Sequence, residues 1–182
     1  MGRPASALRD NILESALALF VVRGYRGTSL HDIASEVDCS KAALLYHFAN
    51  KDALLTELLT PAAAGLAELD ARLAGLTGDE AAEAAVTGYV DLALRFRREL
   101  KLLFGDLPDV LGNPALSAVP DSTERLLAAL AGHSEADEDR VAAWMVVGAV
   151  FVTTASDVPV SDEALRAHMI RGALRALGRT PH

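Results

Sequence analysis

Ser40, Lys41, Ala42, Ala43, Tyr46 and His47 bring a hydroxyl, an ammonium, a phenol and an imidazole into eight consecutive positions, with methyl side chains between them. Such groups bind by hydrogen bonds and charge to phosphate oxygens and base edges, which is recognition and not bond-breaking. Small residues at the front of a helix let its backbone come close to the floor of a groove about 12 Å wide. Thr28 and Lys51 flank the stretch with a further hydroxyl and ammonium.

These side chains need short helices to hold them. Leu30, Ile33, Ala34 and Val37 fall at i, i+3, i+4 and i+7, so His31, Asp32, Ser35 and Glu36 face water on the opposite side. Thr28 or Ser29 caps the start of this helix. Val37, Asp38 and Cys39 form a turn, and Ser40 caps a second helix whose inner positions are Leu44 with Leu45 or Phe48. The pattern is helix, tight turn, helix. Upstream, Leu8, Ile12, Ala16, Leu19 and Phe20 stripe a first helix that Gly24 ends, completing a three-helix domain. Downstream, Asn50 caps a fourth helix with Leu54, Leu55, Leu58 and Leu59 inward, and Thr60-Pro61 predicts a kink or restart in it.

The run from Phe20 to Lys51 resembles the DNA-binding domain of the TetR family of bacterial regulators, through Phe20, Gly24, Tyr25, Thr28, Ser29, Ile33, Ala34, Ser40, Tyr46, His47, Phe48 and Lys51. It covers roughly the first third of the chain. The resemblance implies a homodimer that places two recognition helices in successive major grooves, about 34 Å apart, on a palindromic operator in double-stranded DNA. It also implies repression relieved by a small-molecule effector. Lys41 is the base-reading candidate, and Tyr46, His47, Thr28 and Lys51 are backbone positioners by the same resemblance. Three positions depart from the family pattern: Asp38 replaces a glycine in the turn, Leu45 a tyrosine, and Ala42 a frequent glycine. A DNA-binding-deficient interaction protein of the same fold is the rival reading.

Composition agrees with an all-α chain: it is 51% hydrophobic and only 5% aromatic, as Ala/Leu-rich helices are. The net charge of −8 is wrong for a nonspecific nucleic-acid coat. Its distribution answers that objection. Six basic residues (Arg3, Arg9, Arg23, Arg26, Lys41, Lys51) balance six acidic ones (Asp10, Glu14, Asp32, Glu36, Asp38, Asp52) up to residue 55, so the excess lies downstream. The start, MGRPAS, reads as an arm from which Arg3 and Arg9 reach phosphates or an adjacent minor groove, with simple surface arginines the equal alternative. Cys39 is the single cysteine, which excludes an internal disulfide and leaves it a small core residue or a redox sensor. Neither a metal nor a cofactor is expected, nor an enzyme, since glycine-rich phosphate loops, G-x-S-x-G and H-E-x-x-H are all missing. No apolar run is long enough for a membrane span and no signal peptide is visible, so the expected location is cytoplasmic.

The expected division is a helix-turn-helix domain over residues 1–50 and a helical ligand-binding and dimerisation domain over 51–182. In the latter, a helix from about Asp79 carries Ala85, Tyr89, Leu92, Phe96, Leu100 and Leu103 inward, and Arg95, Arg97, Arg98 and Lys101 form a solvated basic face at its end. Residues 107–120 read as a short helix and loop, a mobile wall of a pocket. From Asp137 to Ala155 an apolar helix needs both the domain core and a partner subunit to cover it, with Glu135, Asp137, Glu138 and Asp139 at its start. A last helix is capped by Ser161 and ended by Gly178. Tyr89, Phe96, Phe104, Trp144, Met145 and Phe151 either fill the core, the default for most of them, or are the candidates for lining a largely apolar ligand pocket.

Overall fold

The computed structural model describes residues 5–110 and 112–179, and among these the chain is helical without strands. The helices are α1 (Ala5–Arg23), α2 (Leu30–Glu36), α3 (Lys41–His47), α4 (Lys51–Leu73), α5 (Gly78–Arg95), α6 (Arg97–Val110), α7 (Val119–Leu130), α8 (Asp137–Ala155) and α9 (Asp162–Ala176). Contacts group them into two units. One comprises residues up to 61 together with 101–117, the other 62–100 together with those from 118 onward.

The first unit is built on the apolar stripes of α1 to α4. Ile12, Ala16, Phe20, Ile33, Ala34, Leu44, Phe48, Leu54, Leu55 and Leu59 form one buried cluster. Leu44 and Phe48 fill the inner side of α3, whereas Leu45 stays 41% exposed. Leu102 and Val110, from the far side of the sequence, are buried in the same cluster. In the stretch from 107 onward α6 runs to Val110, a 3-10 turn covers Pro114–Leu116, and Ala115 and Leu116 pack on the α1–α4 core.

In the second unit α5 packs on α7, α8 and α9 around Val86, Val90, Leu126, Leu130, Val146 and Leu174. One expectation narrows and another changes. Helix α4 continues through Pro61 without a restart. A proline there forfeits one backbone bond and costs about 3 kcal/mol, which the burial of Leu69 and Leu73 beyond it offsets. The helix from residue 79 does break, at Phe96, whose φ −110 and ψ 35 separate α5 from α6. Arg97 is then not part of a solvated face. Its guanidinium donates to the carbonyls of Thr154 at 3.1 Å and Ser156 at 2.9 Å and to Asp162 at 3.1 Å, joining the end of α8 to the start of α9. A cation on the last carbonyls of a helix complements its dipole.

Helix α8 has two faces. Ala143, Val146, Val150 and Thr154 are buried, while Val141, Trp144, Met145 and Val152 are 58%, 60%, 64% and 45% exposed. At the start of α9 the Ser161 hydroxyl accepts from the Ala164 amide at 3.2 Å, and Gly178, at φ +71, lies past its end.

Candidate nucleic-acid interface

Helix α1 stops where Gly24 takes φ +79 and its amide still reaches the Phe20 carbonyl at 2.9 Å. Glycine suits the left-handed turn, and a second constraint coincides there: an added Cβ would lie 3.3 Å from the Asp106 carboxylate. Five residues later Ser29 and Asp32 form a reciprocal capping box on α2, with Ser29 Oγ accepting from the Asp32 amide at 3.2 Å and Asp32 accepting from the Ser29 amide at 2.8 Å. The Ser29 hydroxyl bonded to Asp32 holds that carboxyl below its ordinary range.

Between α2 and α3 the chain turns on Asp38, at φ +54, and the Cys39 amide returns to the Ala34 carbonyl at 2.9 Å. Ser40 caps α3 by accepting from the Ala43 amide at 3.1 Å. Lys41 and Ala42 are exposed at the front of α3 and Ala43 is half-buried. Tyr46 is 84% exposed, and its ring meets the half-buried His47 edge-on at 5.3 Å between centroids. The structure thus brings Ser40, Lys41, Ala42, Ala43, Tyr46 and His47 together on one short helix held by capped turns.

Three other sequence candidates do different work. Thr28 is 1% exposed, and its hydroxyl donates to the Gly24 carbonyl at 2.9 Å, so this side chain locks the turn and does not face a duplex. Lys51 donates to the carbonyls of Tyr25 at 2.7 Å and Thr28 at 3.0 Å and lies 4.3 Å from the centre of the Tyr25 ring. Arg9 pairs with Glu57 and stacks over Phe48 at 5.3 Å, which removes it from the arm expected to reach phosphates. Arg3 lies outside the described residues.

Asp38 gives a direct test of the turn. A non-glycine residue in the left-handed region is strained, with Asp among the better tolerated. Asp38→Gly is expected to raise the stability of the protein by up to about 1 kcal/mol, read as a higher Tm. A lower Tm would show that the Asp38 side chain supports the turn. Cys39 gives another. It is half-buried, and burial, followed by the neighbouring Asp38 charge, pushes its thiol above the ordinary value. The thiolate is the reactive form, so Cys39 should react with Ellman's reagent at pH 7 more slowly in the folded protein than after denaturation. Equal rates would favour the redox-sensor reading.

The six pocket candidates do not converge. Tyr89 turns inward, donates its hydroxyl to the Val147 carbonyl at 3.3 Å, and is pushed up to about 12 by burial. Phe96 sits at the α5–α6 break, Phe104 belongs to the first unit and is 54% exposed, and Phe151 is half-buried. Trp144 and Met145 point outward and line different clefts. One is polar, about 490 Å³, with Glu124, His133, Ser134, Glu135 and Arg140 around Trp144. The other is apolar, about 360 Å³, between α8 and α9, and runs past Met145, Ala149, His168, Met169, Gly172 and Ala176. Among the described residues no three His, Cys, Asp or Glu side chains are grouped to hold a metal, and no helix is long and apolar enough to cross a membrane.

Sequence reasoning missed Asp106, which accepts the Tyr25 amide at 2.8 Å, and Arg97 as a link between helices. Neither has a local signal, because each acts on a partner more than fifty residues away. Asn113 did have one, the Asn-Pro step, and it caps the 3-10 turn by accepting from the Ala115 amide at 3.0 Å.

A helix-turn-helix presenting Lys41 and Tyr46 outward, above a core supplied by α1 and α4, defines a DNA-binding domain. Residues 12–58 match the family described as bacterial regulatory proteins, tetR family. The biofilm operon icaADBC negative transcriptional regulator IcaR of Staphylococcus epidermidis is 44% identical over 45 residues, a match that spans 25% of this chain and 24% of that protein. The fold extends the likeness over the whole chain. AmtR of Mycobacterium smegmatis is 28% identical with a TM-score of 0.75, covering 99% of this chain and 90% of its own. A TetR-family regulator of Streptomyces coelicolor A3 superimposes with a TM-score of 0.76 at 24% identity, over 94% of this chain and 91% of its own. Residues 12–58 thus form a DNA-binding domain of the TetR-family type, the chain spans about a quarter of the length of the curated relatives it matches, and those relatives and the structural neighbours are regulators and not enzymes.

Proposed function

We propose that the protein acts in the cytoplasm as a homodimeric repressor that binds a roughly palindromic operator through α3 and is released by a small, largely apolar effector. The observation that carries the dimer is the outer face of α8. Val141, Trp144, Met145, Ala149 and Val152 follow the i, i+3, i+4 helical repeat and are all exposed. Gly148 and Gly172 face open space, so their smallness serves no packing within the chain and suits the close approach of another helix. Monomeric soluble proteins rarely expose such a continuous apolar stripe. A second copy of the same face, with the α8–α9 groove at its centre, would cover it by two-fold symmetry.

Two copies of α3 in successive major grooves then need their separation set near 34 Å. An effector releases DNA only if it binds more tightly to a dimer with a different separation. Repression is supported by the negative regulators among the relatives, and effector binding and dimerisation fall within residues 51–182. The test is fluorescence anisotropy on DNA from upstream of the protein's own gene against scrambled DNA, at two salt concentrations. Tight, selective, salt-sensitive binding is expected. Equal weak binding to both, and to sites selected from random DNA, would overturn the reading in favour of an interaction protein.

A further inference from the structure

We propose that Asp106 is a positioning residue for DNA recognition and that the functional DNA-binding unit extends beyond the family-matched residues 12–58 to include 101–117. The inference rests on the regulator reading above.

Tyr25 follows the left-handed Gly24, so its amide lies past the end of α1, beyond the bond that the Gly24 amide makes to the Phe20 carbonyl. The residue is 8% exposed, and a buried amide left unpaired is costly. Asp106 supplies the acceptor, at 2.8 Å, from 81 residues downstream. Its own backbone leaves helical geometry inside α6, at φ −126 and ψ 24, where it presents the carboxylate to the turn. Gly24 leaves room for that approach.

The rest of Tyr25 is held as firmly. Its hydroxyl donates to Asp52, its carbonyl accepts from Lys51, and its ring packs edge-on against Phe20 at 5.2 Å. Asp106 is therefore a grip on this turn that α1 to α4 do not themselves provide. The segment carrying it is not loosely apposed: Leu102 and Val110 are at most 1% exposed within the cluster that holds Phe20 and Leu44. Since α2 starts at Leu30 and α3 packs on α2, the conformation of residues 24–29 sets where α3 presents Lys41 and Tyr46. The carboxylate touches no DNA; it acts through the Tyr25 amide.

The experiment compares full-length wild type, Asp106→Ala and Asp106→Asn on the site the wild type selects, well below the Tm of all three, with hydrogen exchange of the Tyr25 amide followed in parallel. Asp106→Ala should bind the selected site about tenfold more weakly, keep scrambled-DNA binding within about twofold, and exchange the Tyr25 amide faster. Asp106→Asn retains a carbonyl acceptor and should restore selective binding to within about threefold of wild type. Wild-type affinity in Asp106→Ala, or an equal loss in both variants, would overturn the proposal, the second by assigning the effect to charge. A wild type that selects no sequence would overturn the regulator reading itself, which is a separate result.

Discussion

Met145→Glu should turn the proposed dimer into a monomer and weaken operator binding by at least about a hundredfold. Met145 stands at the centre of the exposed α8 stripe and in the wall of the apolar groove against α9, with 64% of its surface open. In an isolated chain a glutamate there is harmless, because water solvates it. In a two-fold interface it is buried twice, and an unpaired buried charge costs several kcal/mol per ion after relaxation. An interface of ordinary size, about 800 Å² per partner, does not absorb that. DNA affinity follows the oligomer, because one recognition helix in one half-site forgoes the contacts of the other. Sedimentation velocity gives the mass and anisotropy the affinity. Val22→Glu is the control: Val22 is 81% exposed on α1, so a charge there should leave the mass unchanged. A dimeric Met145→Glu would place the interface elsewhere, and a monomer binding undiminished would remove the dimer from the recognition scheme.

What was legible in the sequence was what acts over four or five residues. Ser29, Ser40, Asn50 and Ser161 cap helices in the structure, because a capping hydroxyl or amide finds its amide partner three residues on. The apolar run from Asp137 to Ala155 became one helix with those bounds. The roles of polar side chains were not legible in the same way. Thr28 and Lys51 have the types and positions of phosphate contacts, yet the Thr28 hydroxyl and two of the three Lys51 N–H donors go to main-chain carbonyls that only the folded turn brings within reach. Arg97 looked like part of a basic helix end until a break at Phe96 turned it toward α8, and nothing local announced the break. The pocket candidates lie on different elements and faces for a related reason. Spacing tells which residues share a helix face but not whether that face looks into the core, as Tyr89 does, or out of it, as Trp144 does.

The two lysines of the interface should separate by stability. Lys51→Ala removes two charged hydrogen bonds and leaves the carbonyls of Tyr25 and Thr28, residues 8% and 1% exposed, to find water. Charged hydrogen bonds contribute about 1.5–3 kcal/mol each, and because Lys51 is half-exposed water recovers part of that. A loss of about 2–3 kcal/mol is the expected result, seen as a clear drop in Tm. Operator affinity falls with it, through a loosened 24–29 turn, while the salt dependence stays nearly that of wild type. A lysine bound to phosphate would behave in the opposite way, lowering the slope of log K against log salt by about 0.9 with stability unchanged. Lys41 should show the complementary pattern. It is exposed at the front of α3 and makes no hydrogen bond or ion pair among the described residues, so Lys41→Ala should keep the Tm within about 0.5 kcal/mol of wild type in stability. Its loss should fall on discrimination, about 1–3 kcal/mol against the correct base pair at one operator position. Thermal melts and competition binding on single-base operator variants decide the matter. A Tm drop in Lys51→Ala together with a reduced salt slope would mean that Lys51 leaves the turn when DNA binds, whereas identical profiles for the two alanine variants would show that its carbonyl bonds add nothing to stability.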